Sequence, residues 1–472
     1  MRNVKQLMKA SLSSIGLSQF GLSVLQTLFM FYYVKVYMNV FHVNEQWFYW
    51  AQTLFMIWNT INDPLFGYLQ DVRGSWLNNR LFVIKALSPF LAGSFVIMWI
   101  PWNREGSYLE GLHLILSLFL YDAFFSAIGV AWGALFADTT QNQPAMRVKA
   151  LKYSQIAIML SAVSIPLTEK MSKSLENFDV FQVICFVFAA LSFACLWLGG
   201  RRKTEMNGGD LECDEDRKTL IQGGGKEEKA MPFEENFKKS IGLTRQVFTQ
   251  RQFLAIVIIN FFQTARSNAH MNFASIFTEA VIPQTILPRG SAKLSLFFLT
   301  LTLIPQILLI VNEKLIARVG AANVIVFSYA VSFFSGFMIF ASHNPYVIML
   351  FMLVDCVTVH TIAPLFNIII SDFVDDDARK NNRTSGIPSI IFSLNALVVK
   401  PAQSIAPMII VKLMNVYGYQ EYLKTKILTP ELKSTLLLIL FATPLLTGGI
   451  QYVAMKGLFN FRRHSTRAAH II

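Results

Sequence analysis

At 472 residues, 54% hydrophobic and only 15% charged, this chain is too apolar for a water-soluble globular protein, and its mean hydropathy of +0.45 says the same. Those proportions identify an integral membrane protein whose main partner is the lipid bilayer. The net charge of +12 would point to nucleic acid in a soluble chain; here it falls largely in alternate connections between apolar stretches, as topology requires, and no nucleic-acid partner is expected.

Stretches long enough to cross about 30 Å of hydrocarbon as helices begin near residues 12, 46, 80, 110, 150, 179, 253, 292, 321, 346, 385 and 431. The expected fold is therefore all-α, with twelve transmembrane helices in two six-helix bundles. Residues 1–199 form the first bundle, 200–251 a cytoplasmic linker, and 252–472 the second bundle. No small-residue cleavage site precedes the first span, which is expected to serve as its own uncleaved signal.

The second span carries Trp58-Asn-Thr-Ile-Asn-Asp-Pro-Leu-Phe-Gly67. A carboxylate at membrane depth costs roughly 2.5–3.5 kcal/mol on insertion scales, and Pro64 leaves the carbonyl of Thr60 without its helical partner. Asp63 is thus expected to face a protein interior or a water-filled path. Trp47, Trp50, Trp99 and Trp102 fall near the outer ends of spans two and three, at headgroup depth. Trp58 and Trp132 sit deeper, where each either packs or stacks on a ligand. Span two ends in Gly67-x-x-x-Asp71-x-x-Gly74, similar to a gating loop, with Ser75 where such loops carry a basic residue; Gly67 lets a helix approach, and Asp71 faces a helix N-terminus.

Cys185 and Cys195 in span six, Cys213 in the linker and Cys356 in span ten give neither a disulfide framework nor metal-ligand spacing, and no metal site is expected. The linker runs from Arg201-Arg-Lys203 through an acidic segment and Gly223-Gly-Gly225, a composition of mobile connections. Past it, Gln263, Arg266 and His270 recur at i, i+3 and i+7 on span seven, sharing one face. That face either lines a cavity or packs against a neighbour, and Asp122 of span four or Asp355 of span ten is available to pair with Arg266. His360 is a further ionisable group in span ten. Asp372, Asp375, Asp376 and Asp377 close that span and read as a solvated loop. The sole Asn-x-Ser/Thr sequon, Asn382-Arg383-Thr384, follows it. Lys and Arg crowd the connections that share a side with the linker, which places both termini in the cytoplasm and leaves the identity of the membrane open.

Several segments together resemble a known family. They are Phe31-Tyr-Tyr33, Ile57 to Gly67, Trp132-Gly-Ala-Leu-Phe-Ala-Asp138, Ser371-Asp-Phe-Val-Asp375 and Val398-Val-Lys-Pro401. In order through both halves, they are similar to the glycoside–pentoside–hexuronide:cation symporters of the major facilitator superfamily, of which the melibiose permease is the best-known member. Within it the pattern is closest to an animal branch of major-facilitator-domain proteins. The resemblance implies a secondary transporter, with carbohydrate as the family-level substrate; a eukaryotic branch of the superfamily moves lysophospholipids.

By the same resemblance, Asp63 matches one of two helix-two carboxylates at the cation site and Lys400 the helix-eleven lysine. Asn59 replaces the other helix-two carboxylate, and Ile128 or Gly129 occupies the helix-four carboxylate position. Gln19 stands where sugar-binding members carry an aspartate. With so little negative charge a sodium site is not expected, and a proton is the expected coupling ion. Asp63 and Lys400 form either a proton-responsive pair or a fixed tie.

Nothing in the sequence has the pattern of nucleophilic catalysis, metal hydrolysis or nucleotide binding, so neither an enzyme nor a cofactor is expected. The reading that follows is a symporter-like transporter for a small polar or amphipathic solute, built around Asn59, Asp63, Lys400, Gln19, Trp132, Gln263, Arg266 and His270. The alternative is a receptor or scaffold that keeps the fold without transport.

Overall fold

A computed structural model of the chain describes residues 11–71, 77, 79–102, 108–140, 144–201, 245–341, 344–381 and 388–458. Gly74, Cys213, the sequon at Asn382 and most of the 200–251 connection lie outside them.

The described residues form twelve helical passages in chain order. In the first half these are α1 (Ser11–Lys35), α2 (Glu45–Asp71), α3 (Arg80–Ile97), α4 (Tyr108–Thr140), α5 (Pro144–Ser161 continued by Ser164–Met171) and α6 (Phe178–Gly199). The second half holds α7 (Arg251–Val281), α8 (Ala292–Val311), α9 (Ala321–Gly336), α10 (Pro345–His360 continued by Ala363–Lys380), α11 (Pro388–Val399 continued by Ala402–Val416) and α12 (Pro430–Leu458). By length and apolarity 8 stretches qualify as membrane spans, in α1, α3, α4, α6, α8, α10, α11 and α12. The other passages are α9, apolar but short, and α2, α5 and α7, which carry more polar side chains. In α2 and α7 many of these point inward: Gln52, Asn59, Asn62 and Gln70 are buried on α2, as are Gln263, Arg266, Asn268 and Asn272 on α7.

Local chemistry sets the helix ends. Asn79 caps α3 by accepting from the Phe82 amide, and Ser291 caps α8 by accepting from Leu294. Asn344 caps α10 ahead of Pro345, whose missing N–H costs nothing in a first turn. Helix α1 closes in a five-residue π turn, Val36–Val40, in which the Phe41 amide donates to the Val36 carbonyl at 2.9 Å. The short helix Glu313–Val319 after α8 ends at Gly320, whose φ of 87° favours glycine.

The surface is apolar: Phe334 is 69% exposed, Val311 73% and Phe186 61%, as a lipid-facing wall requires. Trp50 and Trp102 are likewise exposed, whereas Trp99 is fully buried and Trp47 packs onto Gly111, where a Cβ would meet the indole at 2.4 Å. The halves meet where α1 packs on α7, α2 on α11, and α5 on α8. One apolar core runs through both halves, spanning the depth of the first half from Val83 and Leu196 to Phe41, and a second fills the connection end of the second half among α7, α9, α10, α11 and α12.

Candidate functional site: a polar cavity between the halves

Two helix defects place the central charges. Asp63 precedes Pro64 inside α2, and Lys400 precedes Pro401 at the break in α11. Pro401 donates no hydrogen bond and so frees the carbonyl of Leu397, while the Lys400 amide still reaches Ala396 at 2.9 Å. Interrupted helices at mid-depth are the usual way a transporter exposes polar groups inside a bilayer.

Across the interface Lys400 Nζ lies 2.6 Å from Asp63 Oδ2, with the two side chains 15% and 31% exposed. Lys400 also donates to Asn62 Oδ1 at 3.1 Å. The Asn62 amide in turn donates to the Asp122 carboxylate and, at 3.1 Å, to Ser126 Oγ. Asn59 donates to Gln403 Oε1 at 2.7 Å, a second tie between the halves. The network therefore holds two carboxylates against one ammonium. It borders a cavity of about 290 Å³ whose first-half wall includes Gln26, Phe29, Tyr33, Phe55, Tyr121 and Phe125 and whose second-half wall is Asn268, Lys400 and Gln403. Aromatic faces beside a few hydrogen-bonding groups are the composition of a small-solute site, at the small end of the usual 300–1,000 Å³ range.

Of the residues expected at the site, Asn59, Asp63 and Lys400 border this cavity, and so does Gly129, at the helix-four position that lacks its carboxylate. Asp122, about two turns earlier on α4, brings negative charge back by another route. Gln19 instead donates to Ser23 on its own helix at 2.7 Å. Trp132 donates to the Ile15 carbonyl at 3.1 Å and so fastens α4 to α1. Trp58 stacks on Phe119 at 5.4 Å.

The stripe on α7 faces the interior of the second half rather than the cavity. Gln263 donates to the Val359 carbonyl at 2.7 Å, Arg266 pairs with Asp355 at 2.5 Å, and His270 Nδ1 lies 3.0 Å from the other Asp355 oxygen. Of the two carboxylates available to Arg266, Asp355 is the one it meets. The reason is the direction of α7: this stripe points at α10, while Asn268 and Asn272, on another face, point toward the first half. Gly67 has open space around it, since a Cβ there would meet nothing within 4 Å. Asp71 closes α2, and nothing is described of its side chain.

A second cluster was not anticipated from the sequence. At the end opposite the 200–251 connection, buried Lys35 of α1 pairs with Glu279 of α7, donates to Ser275 Oγ at 2.8 Å, and lies 3.8 Å from buried Glu169 of α5. Tyr32 donates to Glu169 at 2.8 Å, and Arg289 flanks Glu279 at 3.4 Å. Near it Tyr419 donates to Asn39 at 3.1 Å and Asn415 to Glu45 at 3.0 Å, both between halves. The signal was available in Glu169 and Glu279, carboxylates close to apolar runs; Lys35, at a span's end, reads as an ordinary boundary cation.

Known proteins share this plan. The family model described as MFS/sugar transport protein matches residues 14–223 and 224–455. Transmembrane protein 180 of Mus musculus is 27% identical over 434 residues, covering 86% of this chain and 80% of its own length. The Gallus gallus protein of the same name is 25% identical over 417 residues, with 84% and 79% covered. Among solved structures, a POT family transporter in complex with a thioalcohol-conjugated peptide superposes with a TM-score of 0.61 at 11% identity, over 96% of each chain. A bacterial homolog of the human lysosomal transporter Spinster, inward-facing and unoccupied, gives 0.60 at 12% identity over 96% of this chain and 97% of its own. The nucleoside transporter NupG gives 0.58 at 12% identity over 96% and 100%. These last likenesses speak to the fold; the family match covers most of the sequence, and the chain belongs to the MFS/sugar transport protein family.

Proposed function

We propose that the protein is a secondary transporter that moves a small polar or amphipathic solute by alternating access of its two halves. The observation that carries this is the Asp63–Lys400 ion pair: it joins the halves at mid-depth, stays partly exposed, and borders a polar cavity. A contact of that kind can be broken and remade by a proton or a charged solute, because each partner keeps access to water. In this reading the Lys35 cluster closes the end opposite the 200–251 connection, and residues 1–199 and 252–472 are the two moving bodies. Carbohydrate is the leading substrate class, since the family model is one of sugar transport. The two carboxylates beside one lysine also suit a solute bearing an amine.

The coupling ion in this proposal is the proton. Asn59 offers a neutral carbonyl and is occupied by Gln403, which leaves sodium without a compact set of anionic ligands. A scaffold without transport is the competing reading, favoured by the same loss of carboxylate at Asn59. Uptake into proteoliposomes decides the matter, with sugars, nucleosides, short peptides and lysophospholipids offered under imposed proton or sodium gradients. The expected result is uptake of one class that a proton gradient accelerates and that Asp63→Asn abolishes. Absence of uptake across all classes and both gradients, by protein shown to be folded, would leave the scaffold reading standing.

A further inference from the structure

Away from the cavity, three donor side chains converge inside the second half. Cys356 and His360 stand one turn apart on α10, at i and i+4, and so share a face; His270 reaches them from α7. One donor atom from each lies within 4.8 Å of the other two. Metal bonds of about 2.0–2.3 Å to nitrogen and sulfur put three donors around one ion about 3.5–3.8 Å apart, a closing of about 1 Å that side-chain torsions supply.

The surroundings prepare the ligands. His270 Nδ1 is held by Asp355 at 3.0 Å, and Asp355 is held in turn by Arg266 at 2.5 Å. This is the carboxylate–histidine arrangement that fixes a ring and directs its other nitrogen at a metal. His360 Nε2 is buried with no hydrogen-bond partner among the described residues, and the two imidazoles meet edge to face at 5.4 Å. The Cys356 thiol donates to the Leu301 carbonyl at 2.8 Å, a bond it would give up on losing its proton to coordinate.

We propose that His270, Cys356 and His360 form a three-coordinate site for copper(I) that ties α7 to α10. Charge selects the ion. The Arg266 guanidinium is matched by Asp355, so a thiolate is the single uncompensated charge among the ligands; a monovalent metal leaves the buried centre neutral, whereas zinc would leave it positive in a low-dielectric interior. Two imidazoles and a thiolate also suit a soft ion, and zinc would require a fourth ligand.

The test uses the full chain in detergent, stripped of metal under reducing conditions and titrated with copper(I) against a coloured chelator. One equivalent is expected to leave the chelator, with X-ray absorption showing one sulfur and two nitrogen neighbours. Replacing Cys185, Cys195 and Cys213 together by serine should preserve this. Cys356→Ser and His360→Ala should each weaken binding by more than the roughly 10–100-fold that follows loss of an outer hydrogen-bond partner. Metal-free melting curves verify that each variant is folded. Failure to withdraw copper(I) from the chelator would overturn the proposal; so would undiminished binding by folded Cys356→Ser, or a coordination sphere without sulfur.

Discussion

Two of the ion pairs among the described residues, Arg266–Asp355 and Lys400–Asp63, differ in where their partners come from. Arg266 and Asp355 belong to one half, are 0% and 6% exposed, and are surrounded: the guanidinium also reaches Thr358 at 2.6 Å and Ser332. Lys400 and Asp63 belong to different halves and remain 15% and 31% exposed beside a cavity. Charge at membrane depth therefore does not by itself mark a binding site. A pair within one bundle is a fastener, whereas a pair between bundles, with access to water, is able to open.

The largest effects should come from breaking the dry pair. Arg266→Met or Asp355→Asn alone strands a buried charge, at a cost of roughly 3–5 kcal/mol, and should lower the thermal stability of the detergent-solubilised protein sharply. The double variant should recover much of that loss. Single variants that melt like the parent would mean that Arg266 and Asp355 are hydrated, and the contrast between the pairs would disappear.

Next comes the Lys35 cluster, which is as dry as the Arg266 pair yet lies between halves. Lys35→Met leaves Glu169 and Glu279 without their shared cation, but the halves can separate there and return the carboxylates to water. The penalty should appear as a shift of conformation. Since about 1.4 kcal/mol is tenfold in an equilibrium, loss of this pairing should raise labelling of Val43→Cys, buried at this end, by more than tenfold with an impermeant maleimide. Unchanged labelling together with a lowered melting temperature would class Lys35 with the fasteners.

The wet pair should show the converse pattern of small stability effects and large functional ones. Both partners keep some contact with water, so Asp63→Asn and Lys400→Met should each cost less than the roughly 3–5 kcal/mol of stranding a dry charge while abolishing uptake. In a double-mutant cycle on stability the coupling should be correspondingly small but nonzero, since the groups touch. A loss as large as that of Arg266→Met would make the pair a fixed tie, and additive effects would mean that the two groups do not meet in solution.

Much of this layout was legible in the sequence, for reasons that also explain what was not. Apolar runs need no knowledge of neighbours, and the expected starts near 46, 292 and 431 fall within a few residues of α2, α8 and α12. Asp63-Pro64 was visible because a charge and a helix defect coincide there, whereas Lys400 was expected from the family resemblance and its place at the Pro401 break came with the structure. The stripe Gln263, Arg266, His270 correctly shares one face, but periodicity does not say which helix that face meets; α10 lies there, not the cavity. Asp122 could not be joined to Asn62 without knowing how α4 turns against α2. Cys356 and His360 were read separately, without metal-ligand spacing, because the pair gains meaning only once α7 delivers His270.

The smallest expected effect is no effect, and it fixes which side of the membrane the comparison refers to. The Lys35 cluster lies at the end opposite the 200–251 connection, so the orientation of that connection decides which compartment the cluster faces. Asn382-Arg383-Thr384 is the sole sequon, and it follows Lys380, the last residue of α10, on the connection side. Arg379, Lys380 and Arg383 crowd this loop, as expected for a cytoplasmic one, beyond the reach of luminal glycosylation. In a eukaryotic host, glycosidase treatment should leave the wild-type band where Asn382→Gln runs. A glycosidase-sensitive shift that Asn382→Gln removes would place the loop and the connection in the lumen, and the Lys35 cluster would then close the cytoplasmic side.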